Sequence, residues 1–170
     1  MENVDAEQLL DLALQASQAH DTQKSIGLVK LALEKAPEDV RMWYMLGSLY
    51  ADMGLYDKSL QHLETALQID AGYGIARFHL GLLYLTMGDR DKAEQIWQKL
   101  EELGESHYLM LFKSGLLCIA DDKASEGIDK IKQGIDRNAI NEELNQDMES
   151  VIANATLALK EQAQKGQSAH

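Results

Sequence analysis

The sequence predicts an all-α protein made of stacked helix-turn-helix units, with a further helix covering the C-terminal end. Three observations support this fold class. The chain has one proline in 170 residues, and its frequent Ala, Leu, Glu, Gln and Lys residues favour helices. Apolar and small residues recur at a fixed step of 34 positions. Where that step ends, an apolar stripe with helical spacing begins.

The repeat is visible in columns of residues that lie 34 positions apart. Four columns show it most clearly: Leu12, Leu46, Leu80 and Ser114; Ala13, Gly47, Gly81 and Gly115; Ala16, Tyr50, Tyr84 and Cys118; and His20, Gly54, Gly88 and Asp122. Within one copy, Trp43, Leu46 and Tyr50 have the i, i+3, i+7 spacing of one helix face. Gly54 then marks the end of that helix and a tight turn.

The step divides the chain into units at residues 6–39, 40–73, 74–107 and 108–141. In each unit a second helix follows the turn, as Leu60, Leu63 and Leu67 show in residues 40–73. Small residues such as Ser59 and Ala66 allow the two helices to approach, and large ones fill the remaining space. Each unit is therefore a helical hairpin that cannot bury its apolar face alone and must stack on its neighbours.

After residue 141 the period stops and a single amphipathic helix is predicted over residues 141–163. Asn141 is its expected N-cap, because Asn accepts a hydrogen bond from the first turn and acidic residues follow it. The apolar stripe consists of Leu144, Met148, Val151, Ile152, Ala155 and Leu159. We expect this helix to cover the exposed end of the stack. Residues 1–163 are then one domain, and residues 164–170 a flexible tail.

Composition excludes several function classes. The formal net charge is -12, whereas nucleic-acid and anionic-lipid binding depend on clustered Lys and Arg. A basic or apolar partner fits this acidic chain better. The single Cys118 cannot form an internal disulfide. Because residues 1–10 lack a signal-peptide pattern and no apolar run is long enough to span a membrane, we expect a cytoplasmic protein.

No catalytic, cofactor-binding or metal-binding constellation is visible. The chain has no phosphate-binding glycine loop and no H-E-x-x-H pattern, and its histidines are scattered: His20, His62, His79, His107 and His170. Cys118 lies in a core column, which favours an inert buried thiol. We therefore expect no enzymatic activity, no cofactor and no metal.

The column pattern resembles the tetratricopeptide repeat, whose signature is W-x₂-L-G-x₂-Y…A-x₃-F…P over 34 residues. Residues 40–73 match it at Trp43, Leu46, Gly47, Tyr50, Ser59, Leu63, Ala66 and Ala71. Residues 74–107 depart at Arg77 and carry Trp97 in the second helix, and residues 108–141 are the most degenerate copy. The resemblance implies a right-handed superhelical solenoid. It also implies that the first helix of each unit lines a concave groove that holds peptides or partner helices.

Within that groove, the residues off the core stripe are the candidate contacts. One column is aromatic in three copies, and the neighbouring columns are largely aliphatic. The candidate set is Tyr44, Phe78, His79, Leu82, Leu85, Phe112, Lys113, Leu116 and Ile119. Three coverings of such an apolar surface stay open: a peptide or amphipathic helix of a partner, a second copy of this chain, or its own 141–163 helix folded back.

The sequence thus predicts a protein–protein interaction module that acts as an adaptor, scaffold or chaperone-like protein. One alternative is a structural protein that self-assembles through the same surface. Another is a chaperone similar to the acidic repeat chaperones of bacterial secretion, although those carry a longer segment before the first repeat. Relatives that grip the acidic tails of heat-shock chaperones use Lys, Asn and Arg in the groove. Here Tyr44, Ser48 and His79 stand at the corresponding places, so we expect no such clamp.

Overall fold

The computed structural model describes residues 3–169. They form two compact units, one ending at Gln98 and one beginning at Lys99. Helices account for the secondary structure of both units, and residues 3–169 contain no strand. The predicted all-α class is confirmed.

The first unit contains six helices arranged as three hairpins. Their bounds are α1 Ala6–Gln18, α2 Thr22–Lys35, α3 Val40–Asp52, α4 Tyr56–Ile69, α5 Gly74–Thr86 and α6 Arg90–Trp97. The two helices of each hairpin pack on each other, and α2 packs on α3 as α4 packs on α5. This stacking of each hairpin on the next is the arrangement that the 34-residue step predicts.

The second unit contains the fourth hairpin and the last helix. A short 3₁₀ helix, Gln98–Leu103, is followed by α7 Tyr108–Ala120, α8 Ala124–Arg137 and α9 Glu142–Ser168. Helix α7 packs on α8, and α8 packs on α9.

Small residues occupy the points where the two helices of a hairpin cross. The hydroxyl of Ser25 donates to the carbonyl of Ala13 at 2.8 Å, and Ser59 donates to Gly47 in the same way at 2.7 Å. In the third hairpin the space beside Gly81 is filled by the indole of Trp97, which would collide with any Cβ at that position. The crossing therefore requires a small residue on the first helix, and the facing residue varies in volume to fit.

The residue in the turn column has the same left-handed backbone conformation in all four hairpins. His20, Gly54, Gly88 and Asp122 have φ values of 59°, 72°, 86° and 59°. This left-handed region favours glycine, because a Cβ is strained there. The sequence reading of this column as a helix end is therefore correct, including its two non-glycine members.

The junction between α8 and α9 is organised by Asn138, a buried polar side chain. Its Nδ2 donates to the carbonyl of Asn141 and to Oδ1 of Asn145, both at 2.9 Å. Its Oδ1 accepts from the backbone N–H groups of Ile140 and Asn141 at 3.2 Å. Asn141 in turn accepts from Leu144 N–H at 3.0 Å, so it is the N-cap of α9. The position of α9 on α8 is the one expected of a capping helix.

Several details differ from the sequence-based expectations. Helix α9 continues to Ser168, beyond the expected end at residue 163. The predicted flexible tail is therefore helical over residues 164–168, and His170 lies outside the described residues. The second helix of the third hairpin ends at Trp97 and continues as the 3₁₀ helix. Cys118 is half-buried rather than buried.

Leu12 is the clearest exception among the core columns. It is 41% exposed, whereas Leu46, one step later, is 2% exposed. Leu46 lies on α3, which packs on α2 of the preceding hairpin. Among the described residues no hairpin precedes α1, so the equivalent side of α1 is uncovered.

Candidate protein-binding surface

The first helices of the second and third hairpins present neighbouring faces to solvent. We call this surface the α3–α5 face and define it by Tyr44, Ser48, Ala51, His79, Leu82 and Leu85. Helices α3 and α5 contact each other directly. All six residues are half-buried, although the Ser48 hydroxyl oxygen itself is buried.

Tyr44 and His79 join the two helices at the centre of the α3–α5 face. The Tyr44 hydroxyl lies 3.2 Å from Nε2 of His79, within hydrogen-bond distance. The two rings meet edge to face at 5.2 Å, and Tyr73 meets the Tyr44 ring edge-on at 5.8 Å. Such ring pairs add stability beyond the area that they bury. Burial lowers the pKa of His79 to about 4, so this imidazole is neutral at pH 7.

The amino-terminal edge of the surface is held by charged groups. Arg41 pairs with Glu7 of α1 and with Asp39, at 2.7 Å in both cases. The hydrogen bonds from Arg41 lower the pKa of Glu7 and of Asp39. At the carboxyl end of α3, burial raises the pKa of Asp52, whose carboxylate has no ion-pair partner in the described part of the chain. The surface is therefore apolar near Leu82 and Leu85 and acidic at the end of α3.

Phe78 is a core residue in this structure. Its side chain is 0% exposed and stacks on Trp97 at 5.9 Å. Trp97 also donates from Nε1 to the Phe78 carbonyl at 2.9 Å. Trp97 is the largest residue in its column, and its ring packs against the buried Phe78. We therefore leave Phe78 out of the contact set.

In the second unit the expected contact residues of α7 separate into core and surface. Phe112 is 0% exposed and occupies the space left by the missing side chain of Gly134. Leu116 is also buried, at 6% exposure. Lys113 is largely covered, and its Nζ lies 3.5 Å from the carboxylate of Glu101. Ile119 is half-buried and remains accessible.

Sequence reasoning missed Tyr73 and the neutral state of His79. Tyr73 is the N-cap of α5 and lies between Gly72 and Gly74, at the end of the unit 40–73. An aromatic residue between two glycines was the available signal.

Residues 3–169 contain no group of three or more His, Cys, Asp or Glu side chains placed to hold a metal ion. Of the five histidines, His170 lies outside this range. Over the same stretch of chain, none of the helices has the length and apolar character needed to cross a bilayer.

Comparison with known proteins identifies the repeat. Residues 38–106 match the family model "Tetratricopeptide repeat". A curated relative, the BBSome complex member BBS4 of Bos taurus, is 36% identical over 73 residues, which are 43% of this chain. The matched segment spans only 14% of that relative's length.

Two solved structures show the same fold. The APC/C hetero-tetramer Cut9–Hcn1 superposes with a TM-score of 0.74 over 92% of this chain and 31% of that one, at 16% identity. YrrB, described as a TPR protein with an unusual peptide-binding site, has a TM-score of 0.59 at 19% identity. That match covers 79% of this chain and 69% of YrrB.

Proposed function

We propose that this chain, whose residues 38–106 match the tetratricopeptide-repeat family model, is a non-enzymatic module that binds a segment of another protein on the α3–α5 face. The observation that carries this proposal is the composition of that face. Tyr44 and His79 form a hydrogen-bonded pair. The half-buried Leu82 and Leu85 follow His79 on α5. Partly exposed leucines beside aromatic side chains form an apolar patch, and such patches mark protein-binding sites.

The proposed occupant is an apolar peptide or one face of an amphipathic helix. A helix places apolar side chains at i, i+3, i+4 and i+7, which suits a surface whose own leucines lie at i and i+3 on α5. The Tyr44 hydroxyl and the neutral His79 ring supply polar groups without the cost of burying a charge. Asp52 favours a partner with a cationic group at one end.

Similar proteins support an interaction role in general terms. YrrB has a peptide-binding site, Cut9 belongs to a hetero-tetramer, and BBS4 is a member of a complex. The adaptor, scaffold and chaperone-like roles are variants of this proposal. We further propose that the protein acts in the cytoplasm.

The test is capture of partners by variants that change the surface but keep the core. We expect Leu82→Ser together with Leu85→Ser to lose the proteins that the wild type captures, as identified by mass spectrometry. Leu157→Ser is the matched control, because Leu157 is 57% exposed on α9, in the other unit. Helicity and melting temperature should be close to wild type in both variants. Equal capture by the double variant and the wild type would contradict the proposal.

Self-assembly through this surface is the alternative. Light scattering over a concentration series separates the two, since a protein that stays monomeric at high concentration cannot be self-assembling. A concentration-dependent mass that Leu82→Ser and Leu85→Ser abolish would replace the proposed partner by a second copy of the chain.

A further inference from the structure

Two successive junctions between hairpins carry the same tyrosine but opposite charge. At the junction of α4, α5 and α6, the Tyr84 hydroxyl donates to Oε1 of Glu64 at 3.4 Å. Nζ of Lys92 lies 4.6 Å from the centre of the Tyr84 ring. This junction therefore combines an ammonium group, a hydroxyl donor and a carboxylate that accepts from the hydroxyl.

One step earlier, at the junction of α2, α3 and α4, the carboxylate is replaced by a second ammonium group. Lys30 stands at the position of Glu64, Tyr50 at that of Tyr84, and Lys58 at that of Lys92. Nζ of Lys30 and Nζ of Lys58 lie 5.9 Å and 5.3 Å from the centre of the Tyr50 ring. In the described residues neither lysine forms an ion pair, although the chain has 28 acidic residues and 16 Lys and Arg.

His62 adds a third basic group to this cluster. Its ring stacks on Tyr50 at 5.2 Å, and Trp43 lies on it at 5.7 Å. His62 is half-buried, and its Nδ1 is buried without a hydrogen-bond partner among the described residues. Burial, and then the charges of Lys30 and Lys58, lower the pKa of His62, so both ammonium groups act on this ring.

The Tyr50 ring attracts each ammonium group, but two like charges beside one ring repel each other, and a bound anion would offset that repulsion. We propose that Lys30, Lys58, Tyr50 and His62 form a binding site for a phosphate group, which takes the place that the Glu64 carboxylate has at the next junction. Two ammonium groups match a phosphate, which carries a charge of about -1.5 to -2 at pH 7. A single carboxylate would neutralise only one of them. The phosphate oxygens also accept from the Tyr50 hydroxyl, as Glu64 accepts from Tyr84.

This site lies on α2, α3 and α4, and Lys30, Lys58 and His62 are not part of the α3–α5 face. The two proposals are therefore independent, and the variants that test one leave the residues of the other unchanged.

The test uses inorganic phosphate as the probe and NMR of the His62 ring as the readout. We expect its resonances to shift saturably with phosphate but not with chloride at equal ionic strength. The pKa of His62 should rise when phosphate is bound, because a nearby anion favours the protonated imidazole. A response to phosphate that is no larger than the response to chloride would overturn the proposal.

Two variants that exchange lysine and glutamate between the equivalent positions 30 and 64 provide matched controls. Lys30→Glu installs the carboxylate of the next junction and should weaken phosphate binding at least about tenfold, which is about 1.4 kcal/mol. Glu64→Lys should create a second phosphate site, reported by the methyl groups of Ile96, which stands in the place of His62. Both changed residues are exposed, so the melting temperature should show a folded protein. Binding by Lys30→Glu within about twofold of wild type would contradict the assignment.

A second probe, a capped phosphoserine, distinguishes free phosphate from a phosphorylated side chain as the ligand. A capped phosphoserine that binds more tightly than inorganic phosphate assigns the site to a phosphorylated side chain. The opposite order assigns it to free phosphate. Either order supports the site, provided that Lys30→Glu abolishes it.

Discussion

The inner hairpins, α3/α4 and α5/α6, and the outer hairpins, α1/α2 and α7/α8, build the same structure from different residues. At the turn, the inner pair uses Gly54 and Gly88, whereas the outer pair holds His20 and Asp122 in the same left-handed conformation. At the crossing, the inner pair sets a large residue against glycine. Of the outer pair, α7/α8 also sets a large residue, Ile131, against Gly115, whereas α1 carries the buried Ala13 in this column. The difference shows that the repeat keeps its backbone geometry, while the residues that meet this requirement can change.

The loops that follow the hairpins also differ in the side chains that bind their carbonyl groups. The Trp43 indole donates to the Pro37 carbonyl at 2.7 Å, and Arg77, one step later, donates to the Ala71 carbonyl at 3.0 Å. After the fourth hairpin, Asn145, three steps after Trp43, donates to the Asn138 carbonyl at 3.1 Å, and the Asn138 side chain donates to the Asn141 carbonyl. One backbone task is thus performed by an indole, a guanidinium group and an amide.

The largest expected effect is a loss of stability when alanine replaces the crossing glycine, and it should differ between the two inner hairpins. Gly81→Ala should destabilise the protein by about 3 kcal/mol, because the new Cβ collides with Trp97, which is stacked on Phe78 and bonded to its carbonyl. Gly47→Ala should cost about 1 kcal/mol, since its Cβ would meet Leu63 Cγ at 2.7 Å and a leucine side chain can move. Urea unfolding measures both. Equal costs would contradict the view that the facing residue decides the effect.

A pH effect is expected where the two inner hairpins meet. Burial lowers the pKa of His79 from the ordinary 6.5 to about 4. The unfolded chain therefore binds a proton more readily, and the contribution of His79 is complete above pH 6.5 and lost as the pH falls towards 4. We expect a loss of about 2–3 kcal/mol over this range.

His79→Gln should make the unfolding free energy less dependent on pH over the same range. Some dependence will remain, because burial also lowers the pKa of His62 and of His107. An unchanged slope in the variant would show that His79 does not titrate as the structure implies.

The exit of the fourth hairpin should be sensitive to loss of its organising amide. Asn138→Ala is expected to cost about 2 kcal/mol, because the buried amide is lost and its half-buried partners Asn141 and Asn145 lose their hydrogen bonds. Asn154→Ala, on the exposed side of α9, serves as the control and should be neutral. Thermal unfolding of the two variants compares them. A similar effect of both would mean that the hydrogen bonds of Asn138 contribute little.

The smallest effect concerns the turns of the outer hairpins. His20→Gly and Asp122→Gly should each stabilise the protein by about 1 kcal/mol, because glycine adopts a φ of 59° without strain. Gly54→Ala should destabilise it by about the same amount. With glycine at all four turn positions, the outer and inner turns should contribute equally to stability, as measured by thermal unfolding. A loss of stability in His20→Gly would show that the imidazole contributes a contact that outweighs the strain.

Much of the fold could be predicted from the sequence because the 34-residue step records backbone requirements. The unit starts at residues 40, 74 and 108 coincide with the first residues of α3, α5 and α7, and the Asn141 cap is where the pattern places it. Burial was harder to predict. Phe78 and Phe112 share a column with the half-buried Tyr44, but Trp97 covers one and Gly134 makes room for the other. A column indicates the direction of a side chain, whereas its exposure depends on the size of residues in other columns.

The phosphate site was missed for a related reason. Its charges become visible only when Lys30 is compared with Glu64 and the ring geometry around Tyr50 is known.

The most direct test of the central claim is photo-cross-linking from the α3–α5 face. A benzophenone amino acid in place of Leu85 should form covalent adducts with another polypeptide in the cell, and Leu82→Ser should reduce their yield. The same amino acid in place of Leu157 should form none of these adducts. Identical adducts from both positions, or none from position 85, would contradict the assignment of this face as the binding surface.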